Sequence, residues 1–180
     1  MPQNANVRVS LFRQYFYWAI VSLWCACASA QPIPRQLENQ ADSLAKLLYL
    51  GAERSEHRRY YLFPTHRPEK TYAVVLFMFE PGNRYENWMA VFETAEQLTS
   101  EITPDNFTLA AFQKIGGKSW RAASFDRPSF SFDGWKGTIT IKTMENSNDA
   151  PNYPSKPSKS LYRLEPSRHG YVLRELKTKP

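Results

Sequence analysis

Of the 180 residues, 23 are lysine or arginine and 17 are acidic, a formal charge of +6, and the cysteines are only two, Cys25 and Cys27. Both fall inside an N-terminal leader, so the chain after it has no thiol for a disulfide, a cysteine-ligated zinc or a nucleophile. The 150 residues beyond position 30 are enough for one domain that stands on its own core, since a chain of that length buries about 68–70% of its unfolded surface.

The leader carries Arg8 and Arg13 and no acid, then sixteen uncharged residues from Tyr15 to Ala30. A membrane-spanning helix needs about 20 mostly apolar residues, so this run is slightly short. It ends in small side chains, and Ala28 and Ala30 match the A-x-A pattern of a signal peptidase site, with cleavage between Ala30 and Gln31. Pro32 and Pro34 then interrupt any continuing helix. Residues 1–30 are therefore expected to act as a signal peptide, and 31–180 as one exported domain, periplasmic or secreted. Membrane contact is transient and through the leader only; the alternative is an uncleaved signal anchor.

The first expected element of that domain is an amphipathic helix, because Leu37, Ala41, Leu44 and Leu48 recur at intervals of four, three and four, with Gly51 to close it. "RRYYLF" and "TYAVVLFMFE" read as strands. The second has no polar face from Val74 to Phe79 and is expected to be covered on both sides. Pro81-Gly82-Asn83 signals a turn into "RYENWMAVFE". Thr94 with Gln97 makes a capping box for a short second helix reaching about Ile102. The stretch 104–116 fits either a helix or a strand; alternation of Phe107, Leu109, Ala111 and Ile115 favours a hairpin turning at Gly116-Gly117. "SFSFDGWKGTITIKT" is the clearest strand–turn–strand. Residues 145–160, rich in Pro, Ser and Asn, read as a flexible loop, and "LYRLEPSRHGYVLREL" as a returning hairpin. The expected class is α+β: two helices packed on a mostly antiparallel sheet of about six to eight strands.

Charge is unevenly spread. Residues 80–106 carry six acids against Arg84, whereas 156–180 carry seven bases against Glu165 and Glu175. A dipolar chain of this kind steers acidic partners toward its basic side. "KSWRAASF" and "DGWKG" interleave tryptophans with cations, as surfaces that bind sugars or nucleic acid do. Outside the cytoplasm nucleic acid is not the expected ligand. Lys118, Trp120, Arg121, Trp135, Arg163, Arg168 and Arg174 are thus the candidate binding residues, although core packing explains a tryptophan equally well.

No motif names a reaction. His57, His66 and His169 lack metal-ligand spacing, and no nucleophile elbow, P-loop or dinucleotide fingerprint is present, so no cofactor or metal is expected. Asn106-Phe107-Thr108 fits a glycosylation acceptor but is too short to argue from. The expected function is a non-catalytic exported domain that binds a macromolecular partner, either protein or an anionic envelope polymer. The alternative is a small secreted glycan hydrolase with a carboxylate pair drawn from Glu80, Glu86 and Glu93, which flank one hairpin.

Overall fold

The computed structural model describes residues 33–48, 56–65, 70–80, 85–94, 106–118, 120–146 and 154–176. The cleavage site at Ala30 and Gln31, Gly51, His66, the Pro81-Gly82-Asn83 turn and residues 95–102 lie outside them. The described elements are one helix, α1 (Arg35–Leu48), and nine strands. These are β1 (Glu56–Pro64), β2 (Thr71–Phe79), β3 (Glu86–Thr94), β4 (Phe107–Gly117), β5 (Arg121–Ala123), β6 (Ser129–Phe132), β7 (Gly137–Glu145), β8 (Lys156–Ser167) and β9 (Gly170–Leu176).

Every ladder is antiparallel, in the order β1-β2-β3-β4-β5-β7-β8-β9, with β6 on the flank of β7. The expected α+β class is overturned: this is a nearly all-β meander with a single helix among the described residues. The capping-box reading of Thr94 misplaced that residue. Thr94 ends β3, and its hydroxyl accepts the Thr71 backbone N–H at 3.0 Å across the hairpin.

The meander doubles over at β5, and β-branched and aromatic residues fill both sides of its first half. One side of β1–β3 packs Ala73, Val75, Phe77, Phe79, Ala90 and Phe92 against Leu37, Ala41, Leu44 and Ala45 of α1. The other side meets the second half of the sheet, so that Tyr72, Val74, Leu76, Met89 and Val91 touch Ile139, Ile141, Tyr162 and Leu164. β2 is therefore covered on both faces, as its unbroken apolar run predicts. Each fully buried large apolar side chain here contributes about 1.5–3 kcal/mol. The helix is fixed further by Gln36, which donates to Asn106 at 2.8 Å, and by an ion pair between Asp42 and Arg58. The sequon asparagine is thus already engaged.

Residues 107–117 are strand, which decides the ambiguity of 104–116 in favour of the hairpin for the described part. The two glycines do not form its turn. Both stay in β4, and the reversal follows them, with Trp120 N–H on the Gly117 carbonyl at 3.1 Å. Gly116 is required for another reason: a Cβ there would stand 2.5 Å from the Arg121 carbonyl oxygen and 2.9 Å from Asn87 Oδ1. Two register shifts along β3–β4, at Asn87/Trp88 and Val91/Phe92, bend β4 toward the second half. β9 then comes alongside β4 without pairing to it.

In its described parts, residues 145–146 and 154–160, the stretch 145–160 is less of a loop than its composition suggests. β8 begins at Lys156, Pro157 stands in register with Met144, and Ser160 is buried against Thr143. Ser158 donates to Glu145 at 3.1 Å. Hydroxyl pairing replaces apolar contact there, and Pro157 is tolerated at the start of the strand, so neither the prolines nor the lack of apolar side chains keeps β8 from beginning at Lys156.

Candidate binding surface

β7 and the middle of β8 alternate in burial, and the pairing of Arg163 with Arg174 carries the outward face onto β9. Ile139, Ile141, Tyr162 and Leu164 point inward, so Thr138, Thr140, Lys142, Leu161, Arg163 and Arg174 point to the opposite face. The first half of the sheet has α1 on its outer side; among the described elements nothing covers the outer side of the second half. The register sets Lys142 opposite Lys159, and Arg163 opposite both Thr138 and Arg174. Neighbouring strands are about 4.8 Å apart and every second residue along a strand about 6.7 Å, so these four cations fall within a patch some 13 Å long.

Like charges set directly opposite each other on a sheet are destabilising. One acid lies among them: Glu165 is 3.8 Å from Arg163 and 3.7 Å from Arg174. Lys142 reaches across to Asp126 at 3.1 Å, and that hydrogen bond holds the Asp126 carboxyl below its ordinary range. Both partners of that pair are well exposed, so the contact is worth little. The patch stays cationic.

The other predicted binding residues do not join it. Arg121 is buried in β5, where its Nη1 donates to Glu175 at 2.6 Å and to the Tyr162 hydroxyl at 3.1 Å. The Trp120 ring lies over the guanidinium at 5.0 Å. That cluster holds β5, β8 and β9 together, which is a structural role. Lys118, exposed, begins the adjoining turn. Trp135, 77% exposed, occupies the tip of the β6–β7 hairpin, at the opposite end of β7 from the Arg121–Glu145 pairing. Gly134 there has φ of +95°, a conformation glycine adopts without strain. Asp133 caps the tip by accepting the backbone N–H groups of Trp135 and Lys136, which lowers its pKa. Arg168 sits exposed in the β8–β9 turn beside His169. Of the seven residues, only Arg163 and Arg174 belong to one face. Lys142, unnamed in the sequence reading, belongs with them; the alternation of Gly137–Glu145 carried the signal.

Of the carboxylates considered for catalysis, Glu86 and Glu93 are separated and ion-paired, whereas Glu80 directly follows Phe79, which stands opposite Glu86 in the β2–β3 register. Glu86 and Glu93 lie seven residues apart on one strand, about 23 Å, far beyond the 5–10 Å of a glycosidase pair. Glu86 binds Lys114 at 2.7 Å and accepts the Trp88 indole N–H at 3.2 Å. Glu93 binds Lys70 at 3.0 Å. Glu80 follows β2 and is exposed. His57 and His169 are both exposed, and among the described residues no three His, Cys, Asp or Glu side chains cluster as metal ligands.

The buried phenols give the domain a defined alkaline limit. Burial, with the Glu175 carboxylate adding to it, pushes the Tyr162 phenol up to about 12, and burial raises that of Tyr72 as well. A phenol whose folded pKa exceeds its unfolded value of about 10 stabilises the fold fully below pH 10 and ceases to do so as pH rises toward 12. Tyr162 alone should account for a loss of about 2–3 kcal/mol across that interval. Denaturant melts at stepped pH, with phenolate absorbance followed in parallel, should show the fall beginning near pH 10; a fall complete by pH 10 contradicts the assignment.

Comparison of the chain with protein-family models, curated proteins and solved structures finds no match.

Proposed function

We propose that this is an exported, non-catalytic binding domain that docks an acidic macromolecule, protein or anionic envelope polymer, on the outer face of β7–β9. One observation carries the reading: Lys142, Lys159, Arg163 and Arg174 form two opposed like-charge pairs on a sheet face that no described element covers, with two acids on them among the described residues, Glu165 beside the arginines and an exposed Asp126 on Lys142. A fold that accepts this repulsion recovers it when an anionic partner arrives. Export is the sequence-based part of the proposal, and the exported form should have a mass that begins at Gln31; a full-length, membrane-pelleting product contradicts it.

The binding part is tested by capture from envelope extract on immobilised domain, in parallel with a variant carrying Arg163→Glu and Arg174→Glu. Retention of acidic species by the parent alone supports the reading. Equal retention by both removes it.

A further inference from the structure

The sheet is open along one seam. Four antiparallel ladders separate β4 from β9, so the two strands run in the same direction, and Cα atoms of one come within 8 Å of the other. They do not pair. β4 is bonded to β3 on one side and on the other meets β5 only at Gly117, while β9 is bonded to β8 alone. Among the described residues, two rows of backbone N–H and C=O groups therefore face the seam without a ladder, and an edge in that state is a template for another chain.

The side chains along the seam are apolar. Residues 109–112 of β4 face 171–173 of β9 across an open groove of about 330 Å³. Residues directly opposite on neighbouring strands share a face. Pairing with Val91 and Leu164 thus turns Ala111 and Leu173 inward, whereas pairing with Phe92, Ala90 and Glu165 turns Leu109, Phe112 and Val172 outward. Leu109 and Phe112 remain 38% and 47% exposed, although Phe112 stacks on Trp88 with centroids 6.1 Å apart. The next outward residue of β9 is Arg174, which keeps 71% of its side chain exposed beside Glu165 at 3.7 Å.

We propose that the seam receives an extended segment of an acidic partner protein, added as a strand that runs opposite to both β4 and β9. Such a strand continues the antiparallel pattern across the seam and gives both edges hydrogen bonds. Its side chains alternate between faces, so one set enters the groove beside Ala111 and Leu173 and the other lies on Phe112 and Val172. In the outward set, the position two residues earlier in the segment reaches Arg174, where an aspartate or glutamate fits. The segment therefore reads acid, apolar, apolar. A strand between two neighbours needs about 9.6 Å from one to the other, so β9 must move outward. It is free to do so: it is held by β8 and by the Glu175–Arg121 ion pair, and none of its side chains is fully buried. The proposal rests on the acidic-partner reading for the charge of the segment, not for the seam.

The test is amide hydrogen exchange of the whole exported domain, free and with the capped peptide Ser-Thr-Glu-Val-Ile-Val-Thr-Ser. Two further peptides carry glutamine for the glutamate and proline for the isoleucine. Seam-facing amides of β4 and β9 should exchange rapidly in the free domain and slow about tenfold or more with the first peptide. The glutamine peptide should bind about five- to tenfold more weakly, and Arg163→Glu with Arg174→Glu should erase that difference. The proline peptide should protect nothing, because a strand bonded on both sides uses every N–H. Phe112→Ser, at an exposed site, should weaken binding about tenfold. Absence of new protection on β4 and β9, with poly-L-glutamate still bound to the basic face, overturns the seam and leaves the reading of that face standing. Equal protection by the glutamate and glutamine peptides overturns the acidic segment and that reading together. Seam amides already protected in the free domain overturn the proposal too, by giving the seam to another stretch of this chain or to a second copy.

Discussion

Replacing Arg121 by methionine is expected to lower the unfolding free energy by about 3 kcal/mol, the lower end of what removal of one partner from a buried ion pair costs. The side chain is 11% exposed and bridges Glu175 at 2.6 Å and the Tyr162 hydroxyl at 3.1 Å. Without it, the hydroxyl loses its donor inside the core and the carboxylate, 31% exposed, is only half returned to water. That partial exposure places the cost at the low end. In a domain of about 150 residues the melting temperature should fall by about 6–12 °C. Removing the other members as well, with Arg121→Met, Glu175→Leu and Tyr162→Phe combined, should recover most of the loss, because a well-packed apolar substitute often matches a buried ion pair. A single variant within about 0.5 kcal/mol of the parent would show that the pair behaves as a surface one.

Reversal of Arg163 and Arg174 to glutamate has the largest expected effect on binding. Each position contributes to a face with little acid of its own, so the double reversal changes the local charge by four and should weaken association with an acidic partner about a hundredfold at low salt. Most of that change belongs to the on-rate, since exposed charges act during approach. Salt should imitate it: the screening length shrinks from about 10 Å at 0.1 M to about 3 Å at 1 M, and parent and variant should converge. Reversal also surrounds Glu165 with acids, so Arg163→Gln with Arg174→Gln is the proper stability control; both face outward and should leave the melting temperature almost unchanged. Binding that ignores both salt and reversal would require an apolar contact.

Much of the fold was legible wherever periodicity was strong. The four-three-four spacing from Leu37 to Leu48 gave α1, the apolar run of β2 gave its double burial, and the alternation around Gly134 gave the β6–β7 hairpin. The errors arose where one local cue stood in for several. Thr94 looked like a helix cap because its hydroxyl was read without its cross-strand neighbour, Thr71. Gly116-Gly117 looked like a turn, although Gly116 is needed for the close approach of the Arg121 carbonyl. The candidate site was half legible for the same reason. The run of bases in 156–180 pointed to Arg163 and Arg174, but pairing between strands, absent from any linear pattern, set them opposite each other and brought Lys142 of β7 onto the same face opposite Lys159. Arg121 was taken for a surface base because its partners lie 41 and 54 residues further along the chain.

The central claim is tested most directly by mapping backbone amide shifts of the domain during titration with poly-L-glutamate. The account predicts perturbations concentrated on β7, β8 and β9 around Lys142, Lys159, Arg163 and Arg174, and lost when Arg163 and Arg174 are reversed. Perturbations spread evenly over all exposed lysines and arginines, or centred on α1 and β1, would contradict it.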